Sequence, residues 1–259
     1  MKNFDIITAI GSAYQKTGQE YHYLLKLAFV PFIVKSISLF FALQFLEPTD
    51  ILRLSFFMLP AYFVEGWMLA HWTRTILVDN HRWPFVPSGD IKKDTAEIQK
   101  RGRGIMAGTL GFVVVNFLMA GFFKLAFTLV PPDLDPSQAD PMFGFYALMI
   151  LISIFLLFRF TWLYVPLAAN VSIVTYAKLS QPILFTFSLI GVWLVCFIPP
   201  VMMMQVIAGI GSGISGGEQT GGASDFFLAF VRVFFDMLKN ILVTAGIAFA
   251  LKQLVINPK

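Results

Sequence analysis

Residues 183–207 read ILFTFSLIGVWLVCFIPPVMMMQVI, twenty-five consecutive positions with no Asp, Glu, Lys, Arg or His. Coiled into an α-helix at about 1.5 Å per residue, such a run is longer than the roughly 30 Å of hydrocarbon in a bilayer. A helix covering part of a water-soluble core keeps a polar stripe for solvent, and this stretch has none. Nor does it alternate polar with apolar over about ten residues, as a membrane β-strand must. It therefore reads as a membrane-spanning helix.

Five further runs share this character, at about residues 23–46, 51–77, 105–130, 142–165 and 226–254. The expected fold is all-α: one polytopic membrane helix bundle occupying residues 1–259, with six transmembrane helices and short interfacial helices between them. Composition agrees, since only 13% of the residues are charged against about 25% in soluble domains. Twenty-nine Phe in 259 residues fit a chain whose solvent is hydrocarbon. The polar stretch 11–22 ahead of the first run argues against a short cleaved signal. A single cysteine, Cys196, excludes a disulfide framework.

Orientation follows from Lys and Arg. The connection between the second and third runs carries Arg74, Arg82, Lys92, Lys93, Lys100, Arg101 and Arg103, a cytoplasmic basic surface by the positive-inside rule. The stretches 47–50, 131–141 and 209–225 contain no Lys or Arg and fall outside. Lys178, the pairs Lys2 and Lys16, and Lys252 and Lys259 then fall inside, so both termini are expected in the cytoplasm of a bacterial inner membrane. The net charge of +4 reflects this topological excess, and nucleic acid is not an expected partner.

Three pieces lie between spans. Phe4, Ile7, Ile10 and Tyr14 fall near one helical face, suited to a short helix at the cytoplasmic interface. Residues 91–101, IKKDTAEIQKR, predict a short surface helix closed by Gly102 and Gly104, its lysines near anionic lipid headgroups. The seven glycines of 209–222 predict an external loop. Pro31, Pro60, Pro166, Pro199 and Pro200 fall inside spans and predict kinks.

Charge within hydrocarbon costs at least about 2.5–3.5 kcal/mol on insertion scales, which makes every ionisable residue at depth a candidate. Four stand out: Glu65, Arg159, Arg232 and Asp236. Glu65 needs a cation or strong donor, with Arg159 or Lys124 the expected partner. Arg232 and Asp236, four residues apart, share a helix face and suit a salt-bridged entry to the last span, capped by Ser224 or Asp225. Lys26 and Lys35 read as snorkelling lysines, with Lys35 alternatively facing another subunit.

Chemistry-bearing patterns do not emerge. His22, His71 and His81 lack metal-ligand spacing with acids or Cys196, so no metal and no cofactor is expected. Gly211–Gly213 has no strand-turn-helix context for phosphate binding. The Trp residues near span ends suit an interfacial belt.

Two stretches, Ala70-His71-Trp72-Thr73-Arg74-Thr75-Ile76-Leu77-Val78 and Arg159-Phe160-Thr161-Trp162-Leu163-Tyr164-Val165-Pro166-Leu167-Ala168-Ala169, together resemble uncharacterised six-span bacterial membrane proteins related to the membrane domain of glycerophosphodiester phosphodiesterases. The phosphodiesterase activity of that group belongs to a separate soluble domain, so the resemblance implies a membrane domain and no enzyme activity. The expected role is a non-enzymatic accessory or scaffold subunit meeting other membrane proteins or a second copy of itself. The alternative is a small-solute or ion transporter or channel using Glu65 and Arg159.

Overall fold

Asp5 starts the first helix, its carboxylate accepting the amide N–H groups of Ile7 and Thr8 at 3.0 and 3.3 Å. In the computed structural model, which describes residues 4–46, 50–78, 81–129, 142–179, 183–214 and 223–255, that helix, α1, covers Ile6–Gln19. The chain continues through α2 (Tyr21–Phe45), α3 (Ile51–Phe57), α4 (Leu59–Leu77) and α5 (Ile91–Leu129). Then come α6 (Phe143–Leu157), a 3₁₀ turn (Phe158–Trp162), α7 (Tyr164–Ala168), α8 (Ile173–Leu179), α9 (Ile183–Ile214) and α10 (Ala223–Val255). No strand occurs among the described residues.

Five helical segments are long and apolar enough to cross a membrane: α2, α5, the α6-to-α7 segment Phe143–Ala168, residues 183–207 of α9, and most of α10. The run 51–77 is not among them. Its helix breaks at Met58, and Pro60 enters the first turn of α4, where a missing N–H costs no hydrogen bond. Hydropathy is lowered by Glu65, His71 and Arg74, yet these three and eight other residues of α4 are buried. From Glu65 onward protein rather than lipid surrounds this helix, which packs against α2, α5, α7 and α10, while Leu59 and Phe63 in its first turns are exposed.

Side-chain contacts fix the helix directions. Tyr23 of α2 accepts from the Trp83 amide just beyond α4, while Lys35 meets Glu65, so α2 and α4 run antiparallel. Asn240 reaches Glu65 and Lys252 reaches the Ile76 carbonyl, so α4 and α10 run the same way. At the end where α10 finishes, the Asp5 amide donates to Gln253 at 2.7 Å and joins the start of the fold to its last helix. Within the apolar window of α10, 67% of residues are buried, whereas in that of α6–α7 none are. The first is the axis of the bundle and the second lies on its rim.

Three expectations change. The amphipathic face of α1 does not sit as expected: Phe4, Ala9 and Ala13 are buried against the bundle while Ile7 points outward, 82% exposed. Two alanines four residues apart let α1 approach α9 and α10 more closely than larger apolar residues would. The predicted short helix 91–101 is instead the first part of α5, which runs unbroken for 39 residues, or about 58 Å. Gly104 does not end it, because Gly104, Gly108 and Gly111 form one face that lets α5 press on Tyr164, Leu167 and Ala168. Lastly, α9 continues to Ile214 through the first part of the expected glycine loop, and α10 begins at Ala223, ahead of both proposed caps. The rest of that loop and the acidic stretch 131–141 lie outside the described residues.

The prolines act locally. Pro199 cannot donate to the Val195 carbonyl, and the Tyr14 hydroxyl of α1 donates to that oxygen at 3.1 Å instead. Before Pro166 the chain tightens into the 3₁₀ turn, and Asn170 in a left-handed conformation (φ 61°) closes α7.

Candidate functional site: an ionic cluster joining three helices

The buried positions of α2 are Leu24, Leu27, Pro31, Lys35 and Ala42, a single helical stripe, so Lys35 points where the apolar residues point. On α4, Glu65 shares its face with Met68, Leu69 and Trp72, all fully buried. On α10, Asp236 is flanked by buried Val233 and Met237, with Lys239 and Asn240 one turn further on.

These residues converge. Lys35 Nζ lies 2.6 Å from Glu65 Oε2 and 2.5 Å from Asp236 Oδ2. The Asn240 amide donates to Glu65 Oε1 at 2.8 Å, and Lys239 pairs with Asp236 Oδ1. Two cations and two carboxylates therefore balance, and all four carboxylate oxygens accept from donors within the chain. Accessibility grades across the cluster, with side chains 1% exposed at Glu65, 7% at Lys35 and 34% at Asp236. In a medium of low dielectric, unpaired charge is expensive and paired charge is strongly held together, so the cluster ties α2, α4 and α10 in one register.

The four positions singled out by sequence fare differently. Glu65 and Asp236 belong to this cluster. The partner of Glu65 is Lys35, in place of Arg159 or Lys124, and Lys35 is accordingly neither snorkelling nor turned toward another subunit. Asp236 pairs with Lys35 and Lys239, while Arg232, one turn earlier on α10, is exposed. Arg159 lies in the 3₁₀ turn, its carbonyl accepting from the Tyr176 hydroxyl at 2.6 Å and its guanidinium 5.0 Å from the Phe160 ring. The sequence places Lys35 at depth and Lys239 one turn beyond Asp236 without assigning either to Glu65 or Asp236, and it gives no sign of Asn240. For Lys35 the available signal was its register with Leu24, Leu27 and Pro31.

The basic connection divides as well. Lys92, Lys93, Lys100 and Arg103 are exposed on the first turns of α5, while Arg101 pairs with Glu97 at 2.8 Å and lies over the Phe85 ring. Arg82 pairs with Glu20 at 2.7 Å. Arg74, expected on the same surface, is instead fully buried. Its Nη1 donates to the Ala168 carbonyl at 2.9 Å, its Nε donates to His81 Nδ1 at 3.4 Å, and its Nη2 has no partner. A donor aimed at Nδ1 places the His81 proton on Nε2, which faces His71 Nδ1 at 3.2 Å. Burial, and then the nearby Arg74, His71 and Arg101, push the His81 pKa down to about 3. The ring is neutral at physiological pH.

The apolar helices and their internally balanced charges define a multi-pass integral membrane protein. No family model matches the chain, and neither a curated protein nor a solved structure does.

Proposed function

We propose that this protein crosses the bacterial inner membrane six times with both termini in the cytoplasm, and serves as a non-enzymatic scaffold or accessory subunit of a membrane complex. The hydrogen bond between Asp5 and Gln253 supports the crossing number, because an odd number of spans would put the two ends on opposite sides. With five long apolar helices, α4 supplies the sixth crossing. Lys16, Arg82, Arg101 and Lys252 gather with those ends and support a cytoplasmic location for them.

The scaffold role rests on one observation: all four oxygens of Glu65 and Asp236 are occupied by Lys35, Lys239 and Asn240. A cation carrier must offer its carboxylates to cargo, whereas these hold helices together. What the bundle offers outward is apolar, above all α6, on which no residue is buried. Such a surface seats other membrane subunits or a second copy through packing. Transport through the same cluster is the second reading, favoured by the partial exposure of Asp236.

Purification in mild detergent with mass measured by light scattering tests the role. A homo-oligomer or a stoichiometric complex is expected. A monomer that moves solute in liposomes, with flux abolished by Glu65→Gln and assembly unchanged, would replace scaffold by transporter. For topology, a cysteine at Ser88 in a Cys196→Ser background should react with a membrane-impermeant maleimide only after the cells are opened.

A further inference from the structure

At the end of the bundle where Asp5 meets Gln253, a cavity of about 540 Å³ opens between α1, the end of α4, the turn after it and the end of α10. Lys16, Arg82 and Lys252 line it with His81, and Ile76 and Phe249 give it an apolar side. Among the described residues, the carboxylate paired with these three cations is that of Glu20, which lies 3.0 Å from Lys16 Nζ and 2.7 Å from Arg82 Nη2. Lys252 spends one of its three N–H groups on the Ile76 carbonyl at 3.1 Å.

Behind the His81 wall stands Arg74, hydrogen-bonded to that ring and fully buried, with no carboxylate paired to it among the described residues. The Glu97 carboxylate, itself paired with Arg101, offsets part of its charge, and the field of a buried guanidinium is screened little by water. His81 is neutral and adds no charge of its own. It passes a hydrogen bond from Arg74 to His71 while forming part of the cavity wall. The region thus combines a surplus of positive charge, a neutral polar wall and an apolar flank. That combination suits a phosphate group attached to a chain that remains in the membrane, since basic pockets between helices at the cytoplasmic surface take anionic headgroups.

We propose that this cavity binds a phosphate-bearing anion, with the phosphodiester headgroup of an anionic phospholipid as its occupant and Lys16, Arg82 and Lys252 as its ligands. The site differs from the exposed lysines of α5, which meet headgroups only diffusely, and it does not depend on the scaffold role.

The test uses the full-length protein in nanodiscs of phosphatidylcholine alone or of equimolar phosphatidylcholine and phosphatidylglycerol, with retained lipid counted by native mass spectrometry after extraction. Wild type should retain phosphatidylglycerol in preference to phosphatidylcholine. The double variant Lys16→Gln, Lys252→Gln should retain it roughly ten-fold less or weaker still. Lys16→Arg with Lys252→Arg should keep it, which separates lost charge from lost fold. The control pair Lys92→Gln, Lys93→Gln should also keep it; an equal loss there would reduce the effect to diffuse adsorption and overturn the site. A parallel arm titrates inorganic phosphate against thermal unfolding. Protection by phosphate without lipid preference would assign the cavity to a free phosphate and refute the lipid, and neither effect would refute both.

Discussion

Replacing Lys35 by Met removes the cation shared by Glu65 and Asp236 while keeping the length of the side chain. The two carboxylates lose unequally. Asp236 keeps Lys239 and is one-third exposed, whereas Glu65, 1% exposed, keeps only the neutral amide of Asn240. Breaking a buried ion pair by deleting one partner costs about 3–5 kcal/mol, chiefly because the other charge remains uncompensated. Most of that penalty falls on Glu65. For a chain of this size a loss of 1 kcal/mol lowers the unfolding midpoint by roughly 2–4 °C, so Lys35→Met should lower it by roughly 6–20 °C. Adding Glu65→Gln removes the stranded charge and leaves an amide that still bonds Asn240, so the double variant should regain at least half of the loss. The assay is a double-mutant cycle on protein in detergent, with unfolding followed by tryptophan fluorescence and by the monodisperse fraction on size exclusion. A midpoint for Lys35→Met equal to wild type, or two substitutions that simply add, would refute the account of the cluster as the tie between α2, α4 and α10.

Other expectations follow from single contacts. A side chain at Gly104 would collide with the Arg74 guanidinium and the Ala168 carbonyl, so Gly104→Val should destabilise by about 1–3 kcal/mol, whereas Gly102→Ala, with open space around it, should be neutral or stabilising; thermal unfolding distinguishes them. Tyr14→Phe should cost about 1 kcal/mol by leaving the Val195 carbonyl without a donor, and much less in a Pro199→Ala background, where the new N–H serves the same oxygen. Folding holds the His81 pKa near 3, below the 6.5 of the free side chain, so below pH 6.5 the unfolded chain binds the extra proton. Stability should therefore fall with pH between about 6.5 and 3, by about 1.4 kcal/mol per unit from this group. The unfolding midpoint measured from pH 7.5 to 5 should drop, and His81→Asn should flatten the slope.

Much of the fold is legible from apolar run length, because a span must be long and free of charge whatever it packs against. That rule reads lipid exposure more directly than membrane crossing. It finds α6, on which no residue is buried, most easily, and it undervalues α4, where Glu65, His71 and Arg74 are tolerated since α2, α5, α7 and α10 enclose them. Glycine misled for a related reason. Gly102 and Gly104 resemble helix breakers in an isolated sequence, yet in a bundle the absence of a Cβ at Gly104 and Gly108 lets two backbones meet, and the helix persists through both.

The cluster was half legible, and the missing half is instructive. Charge at depth marks Glu65 and Asp236 whichever helices surround them, but naming the partner requires knowing which faces meet, and the partners are separated by 30 and 201 residues. In a helix as uniformly apolar as α2, the register of Lys35 with Leu24, Leu27 and Pro31 points inward only once those positions are known to be buried. Balance is the better guide. In a bundle that carries Glu65 and Asp236 at depth, a lysine placed at matching depth has more to gain by facing them than by reaching for water. Lys35 lies ten residues, about 15 Å, from the end of α2, which exceeds the reach of a snorkelling side chain. Depth alone therefore argues that Lys35 must be neutralised inside the protein, and Glu65 with Asp236 are the carboxylates that do it.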